Sequence, residues 1–243
     1  MYQPRSYRHS VDPAGLVAFR VVVAQTDLQI VARSDLTAQA DVAVRRLRAE
    51  LESYVAAHPR FAESFVPVPV DGAAPAIARA MAVAAETCGV GPMAAVAGAF
   101  AEAVARELEP FSADVIVENG GDVFVMGGAD RVVGLWAGAG VPSVGLRVPG
   151  SAQPVAIATS SATIGPSVSL GGADAATVIA ATGALADAAA SVVGNRAHGS
   201  ADAQAAVEAV RGIEGVRGAL VSVDGGLAAW GEVELVGLAS GAL

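Results

Sequence analysis

Cysteine occurs once in this chain, at Cys88, which excludes an internal disulfide and any cysteine-based metal cluster. Histidine is almost as scarce: His9, His58 and His198 are scattered, with neither metal-ligand nor triad spacing. Basic residues are outnumbered, 15 against 24 acidic, leaving a net charge of −9. That balance argues against nucleic acid, whose binding is dominated by Lys and Arg contacts to phosphate. An anionic ligand would have to be held by backbone amides, a helix N-terminus or a metal. The phosphate loops Gly-x-x-x-x-Gly-Lys and Gly-x-Gly-x-x-Gly are both missing; Gly89-Val90-Gly91-Pro92-Met93-Ala94 lacks the full spacing.

A long uncharged apolar run is missing too. The chain is 53% hydrophobic with a mean hydropathy of +0.52, but Ala and Gly supply much of this. The stretch Ala73–Leu108 is interrupted by Arg79, Glu86, Pro92, Glu102 and Arg106, and Val178–Gly194 contains Asp187. A spanning helix needs about 20 mostly uncharged residues. Met1–Ser10 is polar, and no apolar stretch behind it makes a signal peptide. No membrane association and a cytoplasmic location are therefore expected.

What is present reads as a mixture of strands and helices. Length allows one large domain or two closely packed ones. Strands are expected at Leu16–Ala24 and Leu28–Ala32. Asp35 can cap a helix to about Ala57, with Leu36, Ala40, Val44, Leu47, Leu51 and Val55 on one face. His58 is expected to cap that helix's C-terminal end. The proline-rich segment from Ala56 to Ala74 is an ordered connection.

Further helices are expected at Ala74–Thr87, with Ile77, Met81 and Ala84 inward and Cys88 a packed, inert thiol, and at Pro92–Leu108. The second should turn Met93, Val96, Phe100 and Val104 inward, with small residues for close packing. The pattern then turns to strands: Val115–Val117, Val123–Met126, Val132–Ala137, Ser143–Arg147, Pro154–Thr159 and Ala176–Ala181. Helices follow at Gly183–Val193 and Ala201–Arg211, and strands at Val216–Val223, Gly226–Trp230 and Val233–Leu238. Helices embedded among meandering strands indicate an α+β fold with antiparallel or mixed sheets, and two halves of similar content are compatible with this order. Short terminal strands and an apolar surface excess point to a homodimer.

Three segments carry chemistry. Glu118-Asn119-Gly120-Gly121-Asp122 joins two apolar β runs, and its paired glycines permit positive φ and close approach of a ligand. Ala158-Thr159-Ser160-Ser161 places three hydroxyls at a strand end. Asp187 and Ser191 are four apart on one helix and so share a face. Each segment has an ordinary structural reading: hydroxyls close turns, and helical Asp and Ser bond nearby backbone. Together they form an oxygen-only site suited to Mg²⁺, beside a Gly-Gly turn able to hold a phosphorylated cofactor. Arg196 is placed to pair with a phosphate, more plausibly than His198 nearby.

Val117-Glu118-Asn119-Gly120-Gly121-Asp122, Ala158-Thr159-Ser160-Ser161 and Ala186-Asp187-Ala188-Ala189-Ala190-Ser191 resemble, in order and separation, the signature blocks of the ApbE-like superfamily. Its best-known branch comprises FAD:protein FMN transferases, once called thiamine-biosynthesis lipoproteins. A closer likeness, over nearly the whole chain, is to a shorter ApbE-like branch. It shares Gln25-Thr26-Asp27-Leu28, Val90–Ala99, Val117–Asp122 and Ala186–Asn195.

The resemblance implies a single ApbE-like domain over 1–243 with its signature blocks within 117–195. It implies a flavin dinucleotide (FAD, with FMN as the transferred part) held by Gly120, Gly121, Asp122, Thr159 and Ser160. Mg²⁺ would sit on Asp187, with Ser191 replacing the family's threonine. The implied activity is transfer of FMN to a Ser or Thr of a protein acceptor, with Asp122 orienting the cofactor or the incoming hydroxyl. Two departures stand out. Ser161 replaces a usual glycine, and Ala162–Ser167 lacks the acidic residue of an Asp-Pro-x-Thr-Gly segment. The export signal and lipid-anchor cysteine of many members are also missing. A binding or assembly protein on the same scaffold is the competing expectation.

Overall fold

The computed structural model describes residues 15–135, 144–162 and 171–238. The polar N-terminus, the expected strand residues Trp136, Ala137 and Ser143, and the stretch 163–167 lie outside them. Strands β1 (Val17–Val23) and β2 (Thr26–Ala32) form a hairpin, followed by helices α1 (Thr37–Ala57), α2 (Arg60–Glu63), α3 (Ala76–Cys88) and α4 (Val96–Leu108). A 3₁₀ turn, Pro92–Ala95, leads into α4. Next come β3 (Val115–Asn119), β4 (Asp122–Gly127), β5 (Arg131–Leu135), β6 (Val144–Val148), β7 (Ser151–Ser160) and β8 (Ala175–Ala180). Helices α5 (Gly183–Arg196) and α6 (Ala203–Glu208) then precede β9 (Val216–Val223), β10 (Gly226–Gly231) and β11 (Leu235–Gly237).

Among the described residues, eight strands form one antiparallel sheet in the order β1-β2-β3-β4-β7-β8-β9-β10. The order reads as one unit used twice: a hairpin, helices, and a second hairpin laid beside the first. β1-β2 and β3-β4 make the first half; β7-β8 and β9-β10 make the second. The halves join where β4 pairs with β7. The remaining strands, β11-β6-β5, form a small separate sheet. Fold class is α+β, as the order of elements suggests.

Side chains alternate across a strand, so each strand feeds two cores. Val115, Val117, Phe124, Ala156 and Ala158 point to the helices, into one cluster with Leu47, Met81, Phe100, Val104 and Ala186. Ile116, Val123, Val125, Val155 and Ile157 point the other way, onto Val133, Leu135, Leu146 and Val148 of the small sheet. Both faces are covered, which is why these strands read as continuous apolar runs.

The helices follow their expected faces with two adjustments. Leu36, not Asp35, is the N-cap of α1 and no side chain caps it; Asp35 sits one residue earlier and accepts a hydrogen bond from the Thr37 N–H at 2.9 Å. Met93 is 37% exposed rather than inward, because the chain from Pro92 starts as a 3₁₀ turn and does not share the face of Phe100 and Val104. The corner before it is sharp: α3 and the Pro92–Leu108 segment meet at 105°. Gly89 ends α3 with φ 70°, a left-handed cap that suits glycine. Among the described residues no single helix is long and apolar enough to cross a membrane.

Candidate functional site

Asn119 and Asp122 pair across a two-residue hairpin turn whose glycines, Gly120 and Gly121, have φ of 69° and 112°. Positive φ at both central positions matches the twist of the flanking strands and costs glycine little. The Gly121 N–H donates to Glu118 Oε1 at 3.0 Å, closing the turn on itself. Alternation then divides its residues. Asn119 and Asp122 face the helices, with Val117 and Phe124. Glu118 faces the other way, with Ile116.

The helices meet this turn through their N-termini. The first N–H groups of a helix have no intrahelical partner. In α4 two of them, from Ala97 and Gly98, donate to Asp187 Oδ2 of α5, both at 3.0 Å. The arrangement is reciprocal: the Gly183 N–H, opening α5, donates to Glu102 Oε2 of α4 at 2.8 Å. Each helix thus caps the other with a carboxylate, a favourable charge at a positive dipole end. Asn119 Nδ2 completes the junction by donating to the Ala97 carbonyl at 3.0 Å.

Asp187 is thereby brought against Asp122, and the two side chains share a hydrogen bond. Asp122 is buried, and Asp187 retains partial exposure. Burial raises the Asp122 carboxyl well above the usual range, and the Asp187 charge raises it further. Burial also lifts Asp187, to about 6, although bonds from Gly98, Asp122 and Ala97 pull it back. Two carboxylates this close hold a proton between them more readily than two negative charges.

The hydroxyl segment lies alongside. The Thr159 N–H donates to Asp122 Oδ1 at 3.2 Å, tying β7 to β4. Thr159 Oγ1 turns to the opposite face and lies 3.0 Å from Thr177 Oγ1. Ser160 returns to the helix face, where a Cβ on Gly194 would lie 3.3 Å from its hydroxyl oxygen. Ser161 is buried at the strand's end. Ser191 lies little more than one turn beyond Asp187 on α5 and is partly exposed.

The candidate residues thus separate into a cluster and a periphery. Asn119, Gly120, Gly121, Asp122, Asp187 and the Thr159 amide converge. Glu118 and the Thr159 hydroxyl belong to the opposite face. Arg196 lies two and a half turns beyond Asp187, at about 3.6 residues per turn, and so on the opposite side of α5, exposed. His198 is likewise exposed, its N–H bonded to Asp202. Sequence reading took Ala97 and Gly98 as small residues for close packing, which Gly98 makes against Gly183, but brought out neither their amides nor Glu102. A Glu and a Gly in an Ala-rich helix show no partner until α5 is laid across it.

An Mg²⁺ ion fits the chemistry of this cluster. Its donors are all oxygen, and the mutual repulsion of Asp122 and Asp187 is the kind a cation relieves. No group of three His, Cys, Asp or Glu able to hold a metal occurs among the described residues. Mg²⁺ needs only one or two carboxylates, since water and substrate phosphates complete its shell.

The fold has solved counterparts. The flavin transferase ApbE of Vibrio cholerae covers 89% of this chain and 97% of its own, with TM-score 0.57 and 13% identity. The apo flavinyl transferase ApbE of Pseudomonas stutzeri gives TM-score 0.60 at 13% identity, covering 89% and 94%. The protein is therefore of the ApbE-like class in fold. Sequence relatives are closer: the UPF0280 protein MK0206 of Methanopyrus kandleri is 44% identical over 197 residues, 79% of each chain. The UPF0280 protein MJ1526 of Methanocaldococcus jannaschii is 40% identical over 185 residues, 74% of this chain and 75% of its own. The family model described as "AbpE bacteria" matches residues 8–224, and the chain belongs to that family.

Proposed function

We propose that this protein binds a flavin nucleotide through its phosphates at the Asn119–Asp122 turn, with Mg²⁺ on Asp187 and Ser191, and transfers FMN from FAD to a protein Ser or Thr. The observation that carries this reading is the pairing of buried Asp122 with partly exposed Asp187, set against the N-terminus of α4 and a Gly-Gly turn. A partly buried acidic pair destabilises a ligand-free fold, and a cation with a phosphorylated ligand removes that cost.

In this reading the chain's own groups have separate tasks. The Gly120 and Gly121 backbone permits close approach of the pyrophosphate. Thr159, Ser160 and Ser161 line the adjoining strand end. Asp122 orients the incoming hydroxyl and takes its proton. The hydroxyl oxygen bonds to the flavin-side phosphorus, the bridging P–O bond breaks, and AMP leaves with the bond's electrons. Mg²⁺, when bound, would supply neutralisation of the pyrophosphate charge.

Calorimetry with FAD and Mg²⁺ tests the binding step. Saturable binding that is lost in Asp187→Ala is expected; no binding at millimolar FAD would overturn the reading. Incubation with an acceptor-threonine peptide then tests transfer through AMP release. The presence of only two carboxylates in the cluster favours a second reading, ligand binding without turnover. Binding without AMP release would select it.

A further inference from the structure

A cavity of about 360 Å³ opens between the two sheets, where Leu146 of the small sheet faces Val155 and Ile179 of the large one. Its outer wall is the segment 231–234, and a glycine explains how the chain gets there. β10 ends at Gly231, whose φ of 77° turns the chain out of the sheet. A Cβ there would lie 2.2 Å from the Arg217 carbonyl oxygen, so a larger residue does not fit. The chain then crosses to β6, where the Arg147 N–H donates to the Glu234 carbonyl at 2.9 Å. On the floor, β8 shifts register against β9 between Ile179 and Ala180. Irregularities of this kind re-aim side chains and are frequent beside binding sites.

The cavity is separate from the Asp122–Asp187 cluster. Val155 and Ile179 face away from the helices, whereas Asp122, like Phe124, faces them. Along β7, Val155 also stands four residues from Thr159, about 13 Å in an extended strand.

Its lining is apolar through Leu146, Val155, Ile179 and Val233, with two ion pairs, Arg217–Glu232 and Arg147–Glu234. Arg217 Nε donates to Glu232 Oε2 at 2.8 Å, and Nη2 donates to the same oxygen. A guanidinium has five donors, and Nη1 of Arg217 makes no hydrogen bond among the described residues. The Arg217 side chain is 31% exposed and that of Glu232 59%. The cation is therefore the partner held at the cavity, and the carboxylate is the one easily displaced, since exposed ion pairs contribute little.

We infer that this cavity binds a small organic acid, its apolar body against Val155, Ile179 and Val233 and its carboxylate on Arg217. A guanidinium matches a planar carboxylate through two parallel hydrogen bonds. The volume suits such a ligand, since small-molecule sites begin at about 300 Å³. Apolar walls select against inorganic phosphate, which would lose hydration there without gaining partners.

Calorimetry of the full chain with phenylbutyrate tests this, with phenylbutyramide as the uncharged control. Saturable binding of the acid is expected, with the amide weaker by about tenfold or more. Arg217→Gln should bring the acid down to the affinity of the amide. Glu232→Gln releases the guanidinium from its competitor and should tighten binding. Val233→Trp fills the cavity and should abolish binding. Circular dichroism and thermal melts check that each variant folds. No binding of the acid at millimolar concentration, equal binding of acid and amide, or unchanged affinity in Arg217→Gln or Val233→Trp would overturn the inference.

Discussion

Gly98 and Gly183 meet at the crossing of α4 and α5 so closely that a Cβ on either would clash with the other's backbone. A Cβ on Gly98 would lie 2.1 Å from the Gly183 carbonyl oxygen, and one on Gly183 would lie 2.0 Å from that of Gly98. This contact lets each helix present its N-terminus to the other's carboxylate. Two effects compete in Gly98→Ala: helix propensity gains about 1 kcal/mol, while overpacking costs about 1–3 kcal/mol or more. Packing against rigid backbone should win. Gly98→Ala and Gly183→Ala are expected to lower stability in denaturant titrations; a more stable Gly98→Ala would refute the tight crossing.

Asp187 serves as the cap of α4 and, in the proposed function, as a metal ligand, and substitution separates the roles. Asp187→Asn keeps an oxygen for the Ala97 and Gly98 amides, so the stability loss should stay within about 1 kcal/mol. Asp187→Ala leaves both amides without that acceptor and should cost more, about 1–3 kcal/mol. Both should lose Mg²⁺-dependent FAD binding. Thermal melts and calorimetry together check this; unchanged affinity in Asp187→Asn would remove Asp187 from the ligand set.

The acidic pair also fixes the sign of a pH dependence. Asp122 and Asp187 have folded-state pKa values raised above the unfolded value of about 3.9, Asp187 to about 6. The native state therefore retains a proton that the unfolded chain has released. Their contribution to stability is fully present below about pH 4 and is lost as pH rises through the folded values. In metal-free protein, Asp122→Asn should flatten this decline, as read by thermal melts across pH. Added Mg²⁺ should raise the melting temperature more at neutral pH than at pH 5.

Glu102 caps α5 from outside the site. Glu102→Gln retains an oxygen for the Gly183 N–H and should lose little. Glu102→Ala removes it and should cost about 1 kcal/mol. Equal stability of the two variants by chemical denaturation would show that the cap contributes nothing.

Cys88 is expected to be unreactive. Burial pushes its thiol up to about 11, leaving little thiolate near neutral pH. Alkylation by iodoacetamide at mild alkaline pH should be slow in the native protein and fast in denaturant. Mass spectrometry reads the difference.

Much of this fold was legible from local pattern. Leu47 and Leu51, Ile77 and Met81, and Phe100 and Val104 each show their helix face because burial repeats every three to four residues. The Gly120-Gly121 turn was legible because glycine answers a positive φ that few other residues adopt. Met93 was misread: apolar character alone does not distinguish the 3₁₀ turn at Pro92 from the helix that follows. Arg196 was singled out for its charge and its nearness in sequence, and rotation about α5 takes it to the far side.

By itself the sequence determined most of the elements, the apolar character of the strands, and the candidate residues at Asp122, Thr159 and Asp187. These follow from period, turn chemistry and residue type, which act over a few neighbouring positions. Only the tertiary structure decided that Asp187 binds the amides of α4, that Glu102 answers at α5, and that Asp122 and Asp187 come together. Those contacts join residues 65 to 90 positions apart. Their energies depend on burial and on which helix end faces which carboxylate, and neither exists until the two halves close along β4 and β7.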